Sequence, residues 1–81
     1  DSALVQTAVE TLLEQAPWTP QQDVFVSIMA INAIDKLDGL FASSLSKIKA
    51  MPTNGGRSPN GRYNGYVKGI LAKTIRDLER R

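Results

Sequence analysis

The sequence predicts an all-α fold, a small bundle of three or four helices around a central apolar helix. Two observations lead to this prediction. Apolar residues recur at steps of three and four along most of the 81-residue chain, which is the period of an amphipathic helix. Residues 24–34 are apolar on nearly every side, and a helix of that kind has to be enclosed by others. The composition, 42% hydrophobic and 22% charged, is ordinary for one soluble globular domain over residues 1–81.

The first helix is predicted over residues 3–15, with Ser2 as its N-cap. Pro17 ends it, because proline disfavours a helical conformation in the residue before it. Its polar residues lie between apolar ones that share one side of the helix. The apolar side contains Leu4, Val5, Ala8, Val9, Leu12 and Leu13.

The second helix is predicted to begin at Pro20. Proline suits the first helical position, and Thr19 followed by Gln22 has the spacing of a capping box. Trp18 lies just outside this start, and we expect its ring to close the end of the core against Val24 or Phe25 rather than to anchor a ligand.

Apolar residues keep the helical period from residue 24 to residue 48, across Gly39. One helix of that length would be about 45 Å long, whereas a domain of this size has a radius of gyration of about 12 Å. We therefore predict a break at Asp38–Gly39 and helices near 20–38 and 40–50. The alternative is a continuous helix 20–50 whose protruding half is covered by a second chain.

A Gly/Asn-rich stretch near residues 51–61 predicts a mobile loop, because Asn-Gly pairs favour turns and no apolar alternation flanks them. The last helix is predicted near 60–79, with its start at Pro59 or only after Asn64. Gly61, Gly65 and Gly69 would share one side of it, so that either its first turns are loose or another backbone comes close.

Several function classes are disfavoured by composition. The chain has no Cys and no His, which removes the commonest general base and thiol-bound zinc. We predict no enzyme, no cofactor, no metal site and no small-molecule substrate, and no apolar run is long enough for a membrane span. The chain begins at Asp1 and not at Met, so we expect processing or trimming, and the sequence assigns no compartment.

Three polar features inside the predicted helices have structural and functional interpretations. Asn32 lies in the most apolar stretch, where we expect a hydrogen-bonded role inside the domain ahead of a role at an interface. Asp35 and Asp38 are three residues apart, a spacing at which two carboxylates can bind a divalent cation. The sequence nearby supplies no further oxygen ligands. The serines near Lys47 resemble a Ser–Lys pair in composition alone.

Charge is segregated along the chain. Residues 1–46 contain six acids and one lysine, a balance of −5, whereas residues 47–81 contain nine bases and two acids, a balance of +7. Loop amides, a helix N-terminus and basic side chains together favour anions. The candidate anion- or partner-binding residues are Arg57, Arg62, Lys68, Lys73 and Arg76.

Two functions remain open from the sequence. The first is a non-enzymatic protein-interaction module, an adaptor or assembly domain that docks another protein or a second copy of itself through its acidic and basic halves or an apolar groove. The second is a nucleic-acid-binding domain that contacts phosphates through the basic loop and last helix, with Tyr63 and Tyr66 available to stack on bases. A purely structural interpretation is also open, in which the basic residues pair with Glu10, Glu14 and Asp23 of the acidic half.

Overall fold

A computed structural model describes residues 2–53 and 63–80 of the chain, and within these ranges it contains helices and no strand. An isolated bridge joins Trp18 to Thr53. The predicted all-α bundle is confirmed. Its elements are α1 (Ser2–Gln15), α2 (Val24–Lys36), a 3₁₀ segment (Asp38–Ser44), α3 (Leu45–Lys49) and α4 (Tyr63–Glu79).

Helix α2 is central, since it packs against α4, α1 and the 3₁₀ segment. The expectation that it is enclosed on all sides is wrong. Phe25 is 43% exposed, Met29 is 72% exposed and Asn32 is also exposed. The other described helices are few and short, so they cover only two sides of α2. Its third side stays at the surface. Its buried residues are Val24, Ser27, Ala30, Ile31 and Ile34.

The start of α2 differs from the predicted capping box. Asp23 is the N-cap, and its carboxylate accepts a 2.7 Å hydrogen bond from the Phe25 backbone N–H. The Gln22 backbone N–H donates to the Thr19 carbonyl, which makes residues 19–22 a turn. The Gln22 amide donates to the Gln15 carbonyl at the end of α1. Gln22 therefore closes α1 instead of opening α2.

The predicted break near Asp38–Gly39 is confirmed. Leu37 ends α2 with φ −98° and ψ 24°, outside the helical region, and a seven-residue 3₁₀ segment follows. Phe41 in this segment and Ile48 in α3 are both fully buried and belong to the core. The radius of gyration of 12.3 Å agrees with the expected size.

Trp18 is 2% exposed and belongs to the core, so its predicted burial is confirmed. Its backbone N–H donates to the Pro52 carbonyl at 2.9 Å, so residues 52 and 53 lie beside it. The rest of the predicted loop, including a start of the last helix at Pro59 or Asn60, falls outside the described residues. At the other end of the chain, Ser2 is the first residue of α1 rather than its N-cap.

The buried polar residue of α2 is Ser27, not Asn32. The Ser27 side chain is inaccessible, and its hydroxyl donates to the carbonyl of Ala16, which is itself buried. The hydrogen-bonded role that we expected for Asn32 is therefore performed by Ser27, one and a half turns earlier on another side of the same helix.

We predict that Ser27→Ala lowers the free energy of unfolding by about 1–2 kcal/mol, because the buried Ala16 carbonyl loses its donor. Asn32→Ala, on the exposed side of the same helix, should change it by less than about 0.5 kcal/mol. Urea denaturation of the two variants measures both effects. Equal effects would contradict the assignment of Ser27 as the structural polar residue.

Candidate binding surfaces

Of the five basic residues predicted as a site, the structure describes Lys68, Lys73 and Arg76, all on α4. Arg57 and Arg62 lie outside the described residues. Lys68 and Arg76 are exposed on α4, eight residues or about 12 Å apart along the helix. Lys73, between them in sequence, is engaged in ion pairs.

Lys73 joins α4 to α2. Its Nζ lies 2.9 Å from Asp35 Oδ2 on α2 and 2.9 Å from Asp77 Oδ2 one turn along α4. The hydrogen bonds to Asp35 and Asp77 raise the pKa of Lys73, and the hydrogen bond from Lys73 lowers the pKa of Asp77. Lys73 thus stays charged, and two carboxylates compensate its charge locally. The same pairing occupies one oxygen of Asp35, a predicted candidate for cation binding.

The partners of the basic residues differ from those expected in the acidic half. Lys49 on α3 pairs with Glu79 on α4 at 2.8 Å, and Lys73 pairs with Asp35 and Asp77. No ion pair in the described ranges involves Glu10, Glu14 or Asp23. Two of the three partners therefore come from the basic half itself, and part of the charge segregation seen in the sequence is neutralised within that half.

Gly65 and Gly69 lie on the outer side of α4. A Cβ added at either position would meet no heavy atom within 4 Å. One interpretation of the glycine spacing required another backbone close to α4 at these positions. Within the described chain, none comes close. The third glycine of the series, Gly61, lies outside the described residues.

An exposed apolar surface lies along α1 and α2, and we call it the α1–α2 face. It surrounds an open groove of about 340 Å³ between the two helices, lined by Leu12, Gln15, Val26, Met29, Ala30 and Ala33. Leu4, Val5 and Ala8 continue the α1 side of this groove at helical spacing, and Phe25 and Asn32 flank Met29 on α2. Leu4 is 70% exposed and Val5 42%.

The amino-terminal half of α1 has little tertiary support. Residues 2–8 are all exposed, and Val9 is the first buried residue of the helix. Local bonds within α1 hold these turns, including those from the Thr7 and Thr11 hydroxyls to carbonyls four residues earlier. Helices of this length are marginal in water without packing. The apolar residues of the first turns are consequently available to another surface.

A second groove, of about 550 Å³, lies on another side of α1 and is polar. Glu10 and Glu14 line it together with Lys47 of α3, which places the acids of α1 away from the α1–α2 face. In the described ranges we found no group of three or more acidic side chains placed to hold a metal ion.

The sequence pattern did not reveal the α1–α2 face. Leu4, Val5, Phe25 and Met29 all have the spacing and chemistry of core residues, and the pattern of α2 alone predicted enclosure. One sequence feature could have indicated this face. The apolar residues of α1 and α2 cover more of each helix surface than a single core-facing stripe needs, and so short a chain cannot bury all of them.

Comparison of this chain with protein-family models, curated proteins and solved structures gives no match. None of the helices in the described residues combines the length and the apolar character needed to cross a membrane.

We predict that Lys73→Gln destabilises the fold at neutral pH, since it removes both ion pairs and leaves Asp35 and Asp77 beside each other without a cation. A lowered pKa in the folded state means that the contribution of Asp77 is present above the pKa of the unfolded chain, near 3.9, and is lost as the pH falls through the folded value. The difference in thermal midpoint between wild type and variant should therefore shrink on acidification from pH 7 to pH 3.

The control for this measurement is Lys68→Gln, which removes the same charge from the same helix outside the ion-pair cluster. Its midpoint should follow that of the wild type over the whole pH range. If Lys73→Gln and Lys68→Gln shift the midpoint equally at every pH, the ion pairs contribute nothing to stability.

Proposed function

We propose that this chain is a non-enzymatic protein-interaction module that docks a partner on the α1–α2 face. One observation is the basis of this proposal: large apolar side chains of two neighbouring helices are exposed, and one of them, Met29, lines a groove between the helices. Met29 is 72% exposed and Leu4 70%. Single exposed apolar residues are normal on protein surfaces, whereas a contiguous group of them marks an interaction site.

The energetic argument supports the same assignment. Burial of a side chain such as Leu or Met stabilises a complex by about 1.5–3 kcal/mol. Val26 and Ala33 line the groove and are already half-buried in the free chain. A helix with an apolar stripe fits such a groove, which is a recurring mode of recognition between proteins.

The polar side chains in the ranges that the structure describes have structural interpretations. The groove of the α1–α2 face contains Gln15 as its polar side chain and no titratable group. Acidic and basic side chains that come together elsewhere, at Lys73 and Lys49, form surface ion pairs with ordinary structural roles.

We expect a library of amphipathic helical peptides, selected against the wild-type chain, to yield ligands that bind the α1–α2 face. Met29→Glu should abolish binding of these peptides, because it places a carboxylate in the apolar groove. Ala72→Glu is the matched control, since it adds the same charge at an exposed position of α4 and should leave binding unchanged. Isothermal titration calorimetry measures the affinities.

A binding peptide should also slow amide hydrogen exchange in residues 3–9 of α1, whose turns gain packing that they lack in the free chain. Peptides whose affinity falls equally in Met29→Glu and Ala72→Glu would show that another surface binds them. That result would overturn the proposed docking face.

A second candidate function is binding of nucleic-acid phosphates through α4. It is favoured by Lys68 and Arg76, which are exposed and form no ion pair with the described residues. Phosphate contacts predict an affinity for random-sequence duplex or single strands that falls steeply with salt. Lys68→Ala combined with Arg76→Ala should weaken this binding, whereas Lys47→Ala should not; no binding even at low salt would reject this candidate.

A further inference from the structure

The two sulfur atoms of this chain have different surroundings. The sequence contains Met29 and Met51 and no Cys, so its sulfur chemistry is confined to two thioethers. Met29 is largely exposed and lines the groove of the α1–α2 face. Met51 is partly buried and packs against the core, and it precedes Pro52, whose carbonyl accepts the Trp18 N–H. A small oxidant in water therefore reaches the Met29 side chain more readily than the Met51 side chain.

We propose that Met29 is a modification site for hydroperoxides, and that its oxidation to the sulfoxide weakens docking on the α1–α2 face. The oxidation step rests on the exposure of the side chain. Its effect on docking rests on the proposed function, because it is a regulation of the same face. Methionine sulfoxide is returned to methionine by reductases, so the modification is reversible.

The oxidation step requires the thioether and the peroxide. A lone pair of the Met29 sulfur attacks one peroxide oxygen, the O–O bond breaks and an S–O bond forms. The proton on the transferred oxygen moves to the leaving oxygen, so that hydrogen peroxide gives water and an organic hydroperoxide gives an alcohol. Sulfur loses two electrons and the peroxide gains them. The contribution of the chain is to hold the sulfur where the peroxide reaches it.

A sulfoxide is chemically unsuited to the groove. It replaces a flexible apolar side chain by a polar one whose oxygen accepts hydrogen bonds. The other side chains that line the groove are Gln15 and the apolar Leu12, Val26, Ala30 and Ala33. An apolar surface that docks there removes water from the sulfoxide oxygen without supplying a donor of its own. Burial of a polar group without a hydrogen bond costs free energy, so the oxidised face binds more weakly.

Oxidation of Met29 leaves the fold itself intact, because Met29 lies outside the core cluster. In the free chain the sulfoxide oxygen stays hydrated, since the side chain is largely exposed. Oxidation of Met51 would instead add a polar oxygen beside the core and disrupt its packing. The exposed position of Met29 thus separates a loss of docking from a loss of structure.

Partial oxidation with dilute hydrogen peroxide tests the modification site. Tryptic peptides 1–36 and 50–57 separate the two methionines, so mass spectrometry gives the oxidation rate of each. We expect Met29 to oxidise several-fold faster than Met51 in the folded chain, and the two rates to become similar in denaturing urea. Circular dichroism should show the same helical signal and thermal midpoint before and after oxidation of Met29. Equal rates in the folded chain would overturn Met29 as the preferred site.

The effect on docking is measured by isothermal titration calorimetry with the selected helical peptides. Oxidation of the wild type at Met29 should raise the peptide Kd by about tenfold to a hundredfold, the range that burial of one such side chain supplies. Methionine sulfoxide reductases of both stereospecificities should restore the original Kd. Met51→Leu should respond to peroxide as the wild type does, whereas the Kd of Met29→Leu should be the same before and after treatment.

An unchanged Kd after complete oxidation of Met29 would overturn its effect on docking, and so would an equal loss of affinity in Met29→Leu. The proposed function fails by a different result, equal affinities of the peptides for Met29→Glu and Ala72→Glu, which is measured without any oxidant. The effect on docking then fails with it, and the ratio of the two oxidation rates still decides whether Met29 is the modification site.

Discussion

The hydrogen bond from the Ser27 hydroxyl to the Ala16 carbonyl is the interaction on which the arrangement of this protein depends. It lies where α1 ends and fixes that end against the buried side of α2. Pro17 prevents α1 from continuing, and Trp18 enters the core immediately afterwards. The Trp18 backbone then binds the Pro52 carbonyl, so the same corner also holds the chain that follows α3.

With the Ser27 side of α2 held against the end of α1, the three sides of α2 have different surroundings. One side packs into the core, and a second carries Asp35 to Lys73 of α4. The third side is exposed and contains Met29. The apolar surface stays exposed because the neighbours of α2 cover two of its sides, and we propose that a partner docks on the third.

Charge in this protein has a different distribution in space than in sequence. The basic half contains Asp77 and Glu79. These acids pair with Lys73 and Lys49, two of the basic residues in the half that the sequence pattern suggested for anion binding. The acids of α1 lie beside a polar groove instead. As a result, the α1–α2 face is apolar between its ends. This apolar character is our reason for proposing protein docking at this face ahead of phosphate binding by α4.

The sequence by itself determined the all-α class, a break near Asp38–Gly39 and the burial of Trp18, since each follows from local periodicity, chain length or the size of a side chain. It also identified Lys68 and Arg76 as helical residues. Only the tertiary structure decided that Ser27 is buried and Asn32 exposed, that Lys73 is paired, and that the apolar residues of α1 and α2 remain at the surface. These outcomes depend on how each helix is rotated against residues distant in sequence, and helical periodicity contains no information on that rotation when more than one side of a helix is apolar.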